Sequence, residues 1–301
     1  MINESEKIRG FEGLMRETFK AEWLKGKGTR LYEKIAIVLE SIHKTETYSY
    51  LGNFPSIKGW TDERIEEQFE NNNFEITNED WQALVRVNRD DILFDRFKLV
   101  EPHIKQMVKA AASGYIKMFI NLIQNGEDKK CYDGQPFFSS LHPSANDAKQ
   151  SNLLKYKLSV KAFNYAKETM RKFKAVNGDI YNMTPNTIIA PPALESAAIS
   201  IAQCERYNEK TNMYEGVSNV LILNELENDN EWFLADLTED NTAKPFILQI
   251  AKDYELGLCT KLKNNSPIAH KRPVYGIDGA SNAGYGFWQS IIKCAGETEL
   301  S

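Results

Sequence analysis

The chain has 301 residues, 42% hydrophobic and 26% charged, with a formal net charge of −5. These values fit one large or two closely joined globular domains with a sizeable core. The acidic balance argues against a whole-protein electrostatic grip on nucleic acid. No apolar run of about 18 residues occurs, so no membrane span is expected, and the first ten residues lack the apolar segment of a secretory signal. The four cysteines, Cys131, Cys204, Cys259 and Cys294, form no CxxC pair and read as free thiols of a reducing compartment. His43, His103, His142 and His270 are equally scattered, so no local metal-ligand spacing and no cofactor is indicated.

In chain order, Ile8, Phe11, Leu14, Met15, Phe19, Trp23 and Leu24 form a helical stripe broken at Gly26 and Gly28. A second short helix is expected over Leu31–Ser41. This N-terminal part has too little mass for its own core, and either packs as an arm or forms an ordinary helical pair. An aromatic, turn-rich segment follows, with Tyr48, Tyr50, Phe54 and Trp60. Phe74–Thr77 and Trp81–Val87 read as two strands, with Asn78-Glu79-Asp80 as the turn of a hairpin. An isolated hairpin is marginal in water, so this one needs a partner surface. Arg89-Asp90-Asp91 reads as a surface ion cluster in preference to a catalytic one.

The clearest element is Glu101–Gly126. Its apolar residues Ile104, Met107, Val108, Ala111, Tyr115, Met118, Phe119, Leu122 and Ile123 form one stripe. Lys105, Lys109, Ser113, Lys117 and Asn121 occupy the opposite face. Pro102 suits a first-turn position and Gly126 a left-handed stop. About 24 residues at 1.5 Å each make a beam of roughly 36 Å, expected to lie across a sheet.

Beyond it, Cys131 and His142 raise the possibility of a Cys–His nucleophile pair, but no activating helix N-terminus is evident. Ser159 caps a helix reaching about Lys174. Thr187–Ala190 is a buried strand, and Pro191-Pro192 opens a helix over Ala193–Cys204. Strands are expected at Val220–Leu223, Trp232–Leu237 and Pro245–Ile250, so that residues 151–270 form an α+β block able to hold its own core. The glycines from Gly276 to Gly286 do not form a GxGxxG in a strand–turn–helix context, and they suit a strand with close backbone approach. No GxxxxGK[ST] or GxSxG is present.

Three stretches resemble the phage Mu-like major head subunit family. Tyr48-Ser49-Tyr50-Leu51-Gly52-Asn53-Phe54-Pro55 with Trp60 is similar to its Y-x-W-L-G-x-F-P…W signature, with Tyr50 at the Trp position. Val87-Asn88-Arg89-Asp90-Asp91 is similar to V-x-R-D-D. Cys131-Tyr132-Asp133-Gly134-Gln135-Pro136-Phe137-Phe138 with His142-Pro143 is similar to C-Y-D-G-Q-x-F-F…H-P. Ser151-Asn152-Leu153 and Trp232-Phe233-Leu234 are weaker echoes in the same order.

The resemblance implies the Hong Kong phage capsid fold. It places an N-terminal arm at 1–46, an extended β-hairpin loop at 47–87 and a peripheral domain with a long spine helix at 88–150. An axial domain follows at 151–270, and a C-terminal strand returns to the body at 271–301. It implies a structural subunit without catalytic residues or cofactor, building pentamers and hexamers of an icosahedral shell around double-stranded DNA. Scaffold or decoration proteins and a portal are the implied partners, and DNA contact would be weak and non-specific. Tyr50, Phe54, Trp60, Phe74, Ile76, Trp81, Arg89, Asp90 and Asp91 are the implied subunit contacts. Two other readings stay open: the shell of a gene-transfer agent or protein compartment, and a cytoplasmic enzyme using Cys131/His142.

Overall fold

A computed structural model describes residues 4–27, 30–49, 51, 74–94, 96–202, 206–207, 210–211, 218–239, 242–258 and 274–300. The elements run α1 (Glu4–Lys25), α2 (Leu31–Ile35), β1 (Ala36–Glu40), β2 (Thr45–Tyr48), β3 (Phe74–Thr77), β4 (Glu79–Arg86), α3 (Arg89–Leu93) and α4 (Phe97–Gln124). Then follow β5 (His142–Pro143), β6 (Lys149–Gln150), β7 (Leu153–Tyr156), α5 (Val160–Arg171), β8 (Thr187–Ala190) and α6 (Glu195–Ala202). The last are β9 (Arg206–Tyr207), β10 (Lys210–Thr211), β11 (Asn219–Ile222), β12 (Trp232–Ala235), β13 (Phe246–Leu258), β14 (Val274–Tyr285) and β15 (Ile291–Thr298).

Two main sheets carry the fold. The first has the order β1-β13-β14-β4 and the second β11-β8-β12-β15-β7. In the first, β13 and β14 are the long antiparallel pair, β1 adds parallel to β13, and β4 adds antiparallel to β14. In the second, β12 sits at the centre, and all four of its residues, Trp232 to Ala235, are buried. Apolar side chains on both faces explain its unbroken hydrophobic run.

Helix α4 is longer than its sequence pattern suggests, 28 residues, or about 42 Å. The expected stripe is its buried face, joined by Val100 and Ile120, while Leu122 is only partly buried. Lys105, Lys109, Ser113, Lys117 and Asn121 are all exposed. Pro102 is not in the first turn but inside the helix. The carbonyl of Lys98 lacks the N–H that a non-proline residue at 102 would offer. Lys98 and Pro102 are exposed, so water can take that carbonyl.

The buried face of α4 meets the first sheet and α1. Tyr115 is fully buried among Tyr32, Tyr254 and Trp23, with ring centroids 4.9, 5.3 and 6.2 Å away. Trp23 Nε1 donates to Asp253 Oδ2 at 2.9 Å, and the Arg30 guanidinium lies 3.8 Å over the Trp23 ring. Offset and edge-on aromatic contacts of this kind add to the area they bury. Phe11, Met15, Phe19 and Trp23 of α1 are buried, so this helix packs on its own chain.

Four expectations need correction. Leu31–Ser41 is not one helix: after Ile35 the chain becomes strand β1, paired in parallel with Phe246–Ile250. Pairing with β13 outweighs the helical periodicity of Ile35-Ala36-Ile37-Val38-Leu39. Second, β3 and β4 do not form a hairpin. Only Asn78 separates them, too little for a two-residue reversing turn; β3 pairs with β2 and β4 with β14. Third, neither main sheet is confined to residues 151–270. β13 runs on to Leu258 in the first sheet, and β15 enters the second from the C-terminal segment. Fourth, the C-terminal segment is two strands, β14 and β15, one in each sheet.

Two local expectations hold. Ser159 Oγ accepts from the Ala162 amide at 3.2 Å, capping α5, and β8 covers Thr187–Ala190 as read. Gly284 lies against Ile76, whose Cδ1 is 2.5 Å from where a Cβ would sit, the close approach expected of the glycine-rich strand. The two sheets share one core. Phe137 and Phe138 together bridge them: the Phe137 ring stacks on Tyr285 at 4.5 Å and meets Phe246 at 5.7 Å, both in the first sheet, while Phe138 meets Phe233 of the second sheet at 5.7 Å. Phe137→Ala is expected to cost about 3–5 kcal/mol, read as a fall in the denaturant midpoint of the subunit.

Candidate functional site

The turn between α4 and β7 carries the densest cluster of buried polar side chains with chemical potential. It begins at Gly126, which does not adopt the left-handed conformation expected of it; Asn125 closes the helix at φ −95°. Glycine is required there for space, because the Phe138 ring lies 2.5 Å from the position a Cβ would take. The Phe138 amide also donates to the Gly126 carbonyl at 2.8 Å.

Residues 131–135 then close a tight turn. The Cys131 amide donates to Gln135 O at 2.8 Å, and the Gly134 amide to Cys131 O at 3.1 Å. Gly134, at φ +79°, supplies the left-handed residue. Asp133 sits inside. Its Oδ1 accepts the Gln135 amide at 3.0 Å and the Cys131 thiol at 3.1 Å, and its Oδ2 meets His142 Nδ1 at 2.7 Å. His142 is fully buried and stacks on Trp288, with centroids 3.9 Å apart and planes 5° apart.

Asn152 completes the cluster. Its Oδ1 accepts from the Ser139 amide at 2.9 Å and lies 3.1 Å from His142 Nε2. Its Nδ2 donates to Phe137 O at 2.8 Å, and more loosely to Trp288 O and Ile291 O at 3.3 and 3.4 Å. Its backbone pairs with Ser139 and Lys293. One fully buried residue thus ties the turn to β15.

Nearby, the nearly buried Lys293 amine lies 2.8 Å from Glu127 and 3.0 Å from Glu231. Burial alone would lower its pKa, but the two carboxylates outweigh that and raise it.

Electrostatics run against nucleophilic chemistry at Cys131. Burial, then the Asp133 charge, pushes its thiol far above the ordinary range, so it is not a ready thiolate. The near nitrogen of His142 is engaged by Asp133. Burial would raise the Asp133 carboxyl, yet the His142 hydrogen bond and charge lead the effects that bring it below the usual value.

The sequence-predicted contact residues are scattered. Tyr50, Phe54 and Trp60 lie outside the described residues. Phe74 is half-buried against Tyr285, and Ile76 is 3% exposed, spent on its own core. Trp81 stays 36% exposed on edge strand β4, with Nε1 donating to Ser281 O at 2.9 Å. Leu84, on the same strand, is 50% exposed, on the Gln82/Arg86 face and out of step with the apolar alternation of Ala83, Val85 and Val87. Arg89, Asp90 and Asp91 open α3. Acidic side chains suit that end of a helix, and Asp91 makes a loose ion pair with Arg96 at 3.9 Å.

The solved procapsid of bacteriophage JBD30 matches this architecture with a TM-score of 0.59 at 20% identity, over 96% of this chain and 75% of that one. The α+β fold is that of a tailed-phage major capsid subunit, the Hong Kong phage fold. The family described as Mu-like prophage major head subunit gpT matches residues 11–157, 153–226 and 217–300, and the chain belongs to it. The major capsid protein of Escherichia phage Mu is 23% identical over 269 residues, covering 89% of this chain and 68% of that protein. The Mu-like prophage FluMu major head subunit of Haemophilus influenzae is 23% identical over 266 residues, covering 88% of this chain and 66% of that protein. The chain therefore spans about two thirds of both relatives. It is a structural capsid protein and not an enzyme. Among the described residues no helix is long and apolar enough to cross a membrane.

Gly126→Ala forces the Phe138 ring or the turn to move. Overpacking of this kind costs about 1–3 kcal/mol; the thermal midpoint of the purified subunit should fall accordingly, whereas an unchanged midpoint would contradict the tight contact.

Proposed function

We propose that the chain assembles into pentamers and hexamers that tile an icosahedral shell around packaged double-stranded DNA. The observation that carries this reading is the base formed by β2 and β3. Thr45–Tyr48 pairs antiparallel with Phe74–Thr77, so the chain between these two strands begins and ends at one two-stranded stem. A segment that begins and ends at such a stem suits the extended loop of the reading, which would reach a neighbouring subunit. The body proper comprises the first sheet with α1 and α4 as peripheral domain, and the second sheet with α5 and α6 as axial domain.

Edge strand β4 supports the same reading. Among the described residues β4 has no further strand beside it, and Trp81 and Leu84 are exposed on its opposite faces. Open edges with apolar side chains favour association. Asp90 and Asp91, beyond its end, belong to the same contact region, with Arg89 heading their helix. The packaged DNA is held by weak non-specific contact, in keeping with the acidic net charge. Scaffold or decoration proteins and a portal complete the particle, and assembly takes place in the host bacterial cytoplasm.

Electron microscopy of the purified chain, alone and with candidate scaffold, tests this directly. Closed shells are expected; only small compact species under every condition would contradict it. Replacing residues 52–71 by a short glycine–serine turn leaves the β2–β3 stem able to close. That variant should remain folded and monomeric or capsomeric but form no shells. Normal shells from it would remove the extended-loop assignment. Trp81→Asp with Leu84→Asp should likewise weaken assembly while shifting subunit stability by less than about 1 kcal/mol, as exposed positions do.

A further inference from the structure

We propose that Cys131, Asp133 and His142 bind a single divalent transition-metal cation, with zinc as the best match to the donor set, which staples the turn after α4. One ligand atom from each residue lies within 4.8 Å of the other two. A thiolate, an imidazole nitrogen and a carboxylate oxygen are the three donor types that zinc accepts.

The hydrogen bonds around His142 hold its ring as a metal ligand requires. Nε2 faces two acceptors, Asn152 Oδ1 at 3.1 Å and Phe137 O at 3.3 Å. The Asn152 orientation is fixed from both ends, since Oδ1 accepts the Ser139 amide and Nδ2 donates to Phe137 O. Nε2 therefore carries the ring hydrogen, which directs the Nδ1 lone pair towards Asp133 and Cys131. A histidine whose far N–H is anchored on carbonyl oxygens is the usual outer shell of a metal site. Nδ1 and Asp133 Oδ2 are 2.7 Å apart. Two acceptors at that distance need a shared proton, on the ring or on the carboxyl, or a cation that binds both. A proton serves only those two atoms; a cation also takes the third donor, Cys131 Sγ.

Charge balance agrees. A thiolate and a carboxylate neutralise a divalent cation, and the imidazole stays neutral, so the buried site carries no net charge. Binding replaces the thiol hydrogen: the Sγ–metal bond forms as the proton leaves to solvent. The ligands are also held ready. Cys131 and Asp133 share one hydrogen-bonded turn, and the His142 ring is fixed flat on Trp288. Asp133 is the least buried of the three. Its side is where a water would complete a tetrahedral set.

The test uses the full chain, purified without a histidine tag from cells grown in zinc-replete medium. Elemental analysis should find one zinc per folded chain, and X-ray absorption at the zinc edge should find one sulfur among nitrogen and oxygen neighbours. Cys131→Ser and His142→Gln should each lose the bound zinc. Chelator treatment should lower the thermal midpoint of the wild type, and added zinc should restore it. A folded wild-type chain without metal, which takes up neither zinc nor cobalt and shows both His142 ring nitrogens protonated by 15N NMR, would overturn the proposal. So would a zinc spectrum without sulfur. Neither wild-type measurement depends on the variants folding.

Discussion

Asn152 sits where the turn after the long helix crosses the second sheet, and its hydrogen bonds are the constraint on which the two-sheet body depends. Its side chain answers a donor from Ser139 and an acceptor from Phe137, and its backbone holds β15 through Lys293. Fully buried polar groups persist only when satisfied, so this residue fixes the path of the turn. The turn in turn fixes Phe137 against the first sheet and Phe138 against the second. Lys293, clasped by Glu127 and Glu231, adds a second tie between the same segments. The stretch Cys131–Phe138 is thus structural mortar, which is why a cysteine and a histidine can sit so close without performing catalysis.

This arrangement divides the surface by task. The apolar side of α4 is spent within the subunit, on Tyr32, Tyr254, Phe246 and the helix α1. The lysine-bearing face of α4 stays exposed, as do Trp81 and Leu84 on strand β4. A shell protein needs this separation: a rigid body that tolerates many weak contacts, none of which is required for the fold itself. The polar stem contacts fit the same logic. Tyr48 Oη donates to the buried Gln249 at 2.6 Å, and Gln249 donates to Ile76 O at 3.3 Å, so the loop base is locked to β13.

Much of this was legible in the sequence where the signal is local. A 3.6-residue stripe needs only its own helix, so the buried and exposed faces of α4 could be read position by position. The cap at Ser159 and the buried strand at Thr187–Ala190 are equally local. The strand pairings were not legible, because nothing in Phe74–Arg86 tells that β3 and β4 part company at Asn78 and join different partners. Gly126 was read as a conformational stop when its reason is a distant ring. Of the site cluster, Cys131, Asp133 and His142 stood in one motif. Asn152, which organises them, was visible only as part of the weaker echo Ser151-Asn152-Leu153. Its role depends on contacts to residues as far along the chain as Lys293, which no spacing rule encodes.

Native-state hydrogen exchange at the amides of Phe138, Ser139, Asn152 and Lys293 tests the central role of this junction most directly. If the turn joins the two sheets into one cooperative unit, these amides exchange only through global unfolding, with the same opening free energy as the central strands β12 and β13. Exchange through a smaller opening, with both sheets still protected, would show that the sheets stand independently and that the junction is an ornament of the fold.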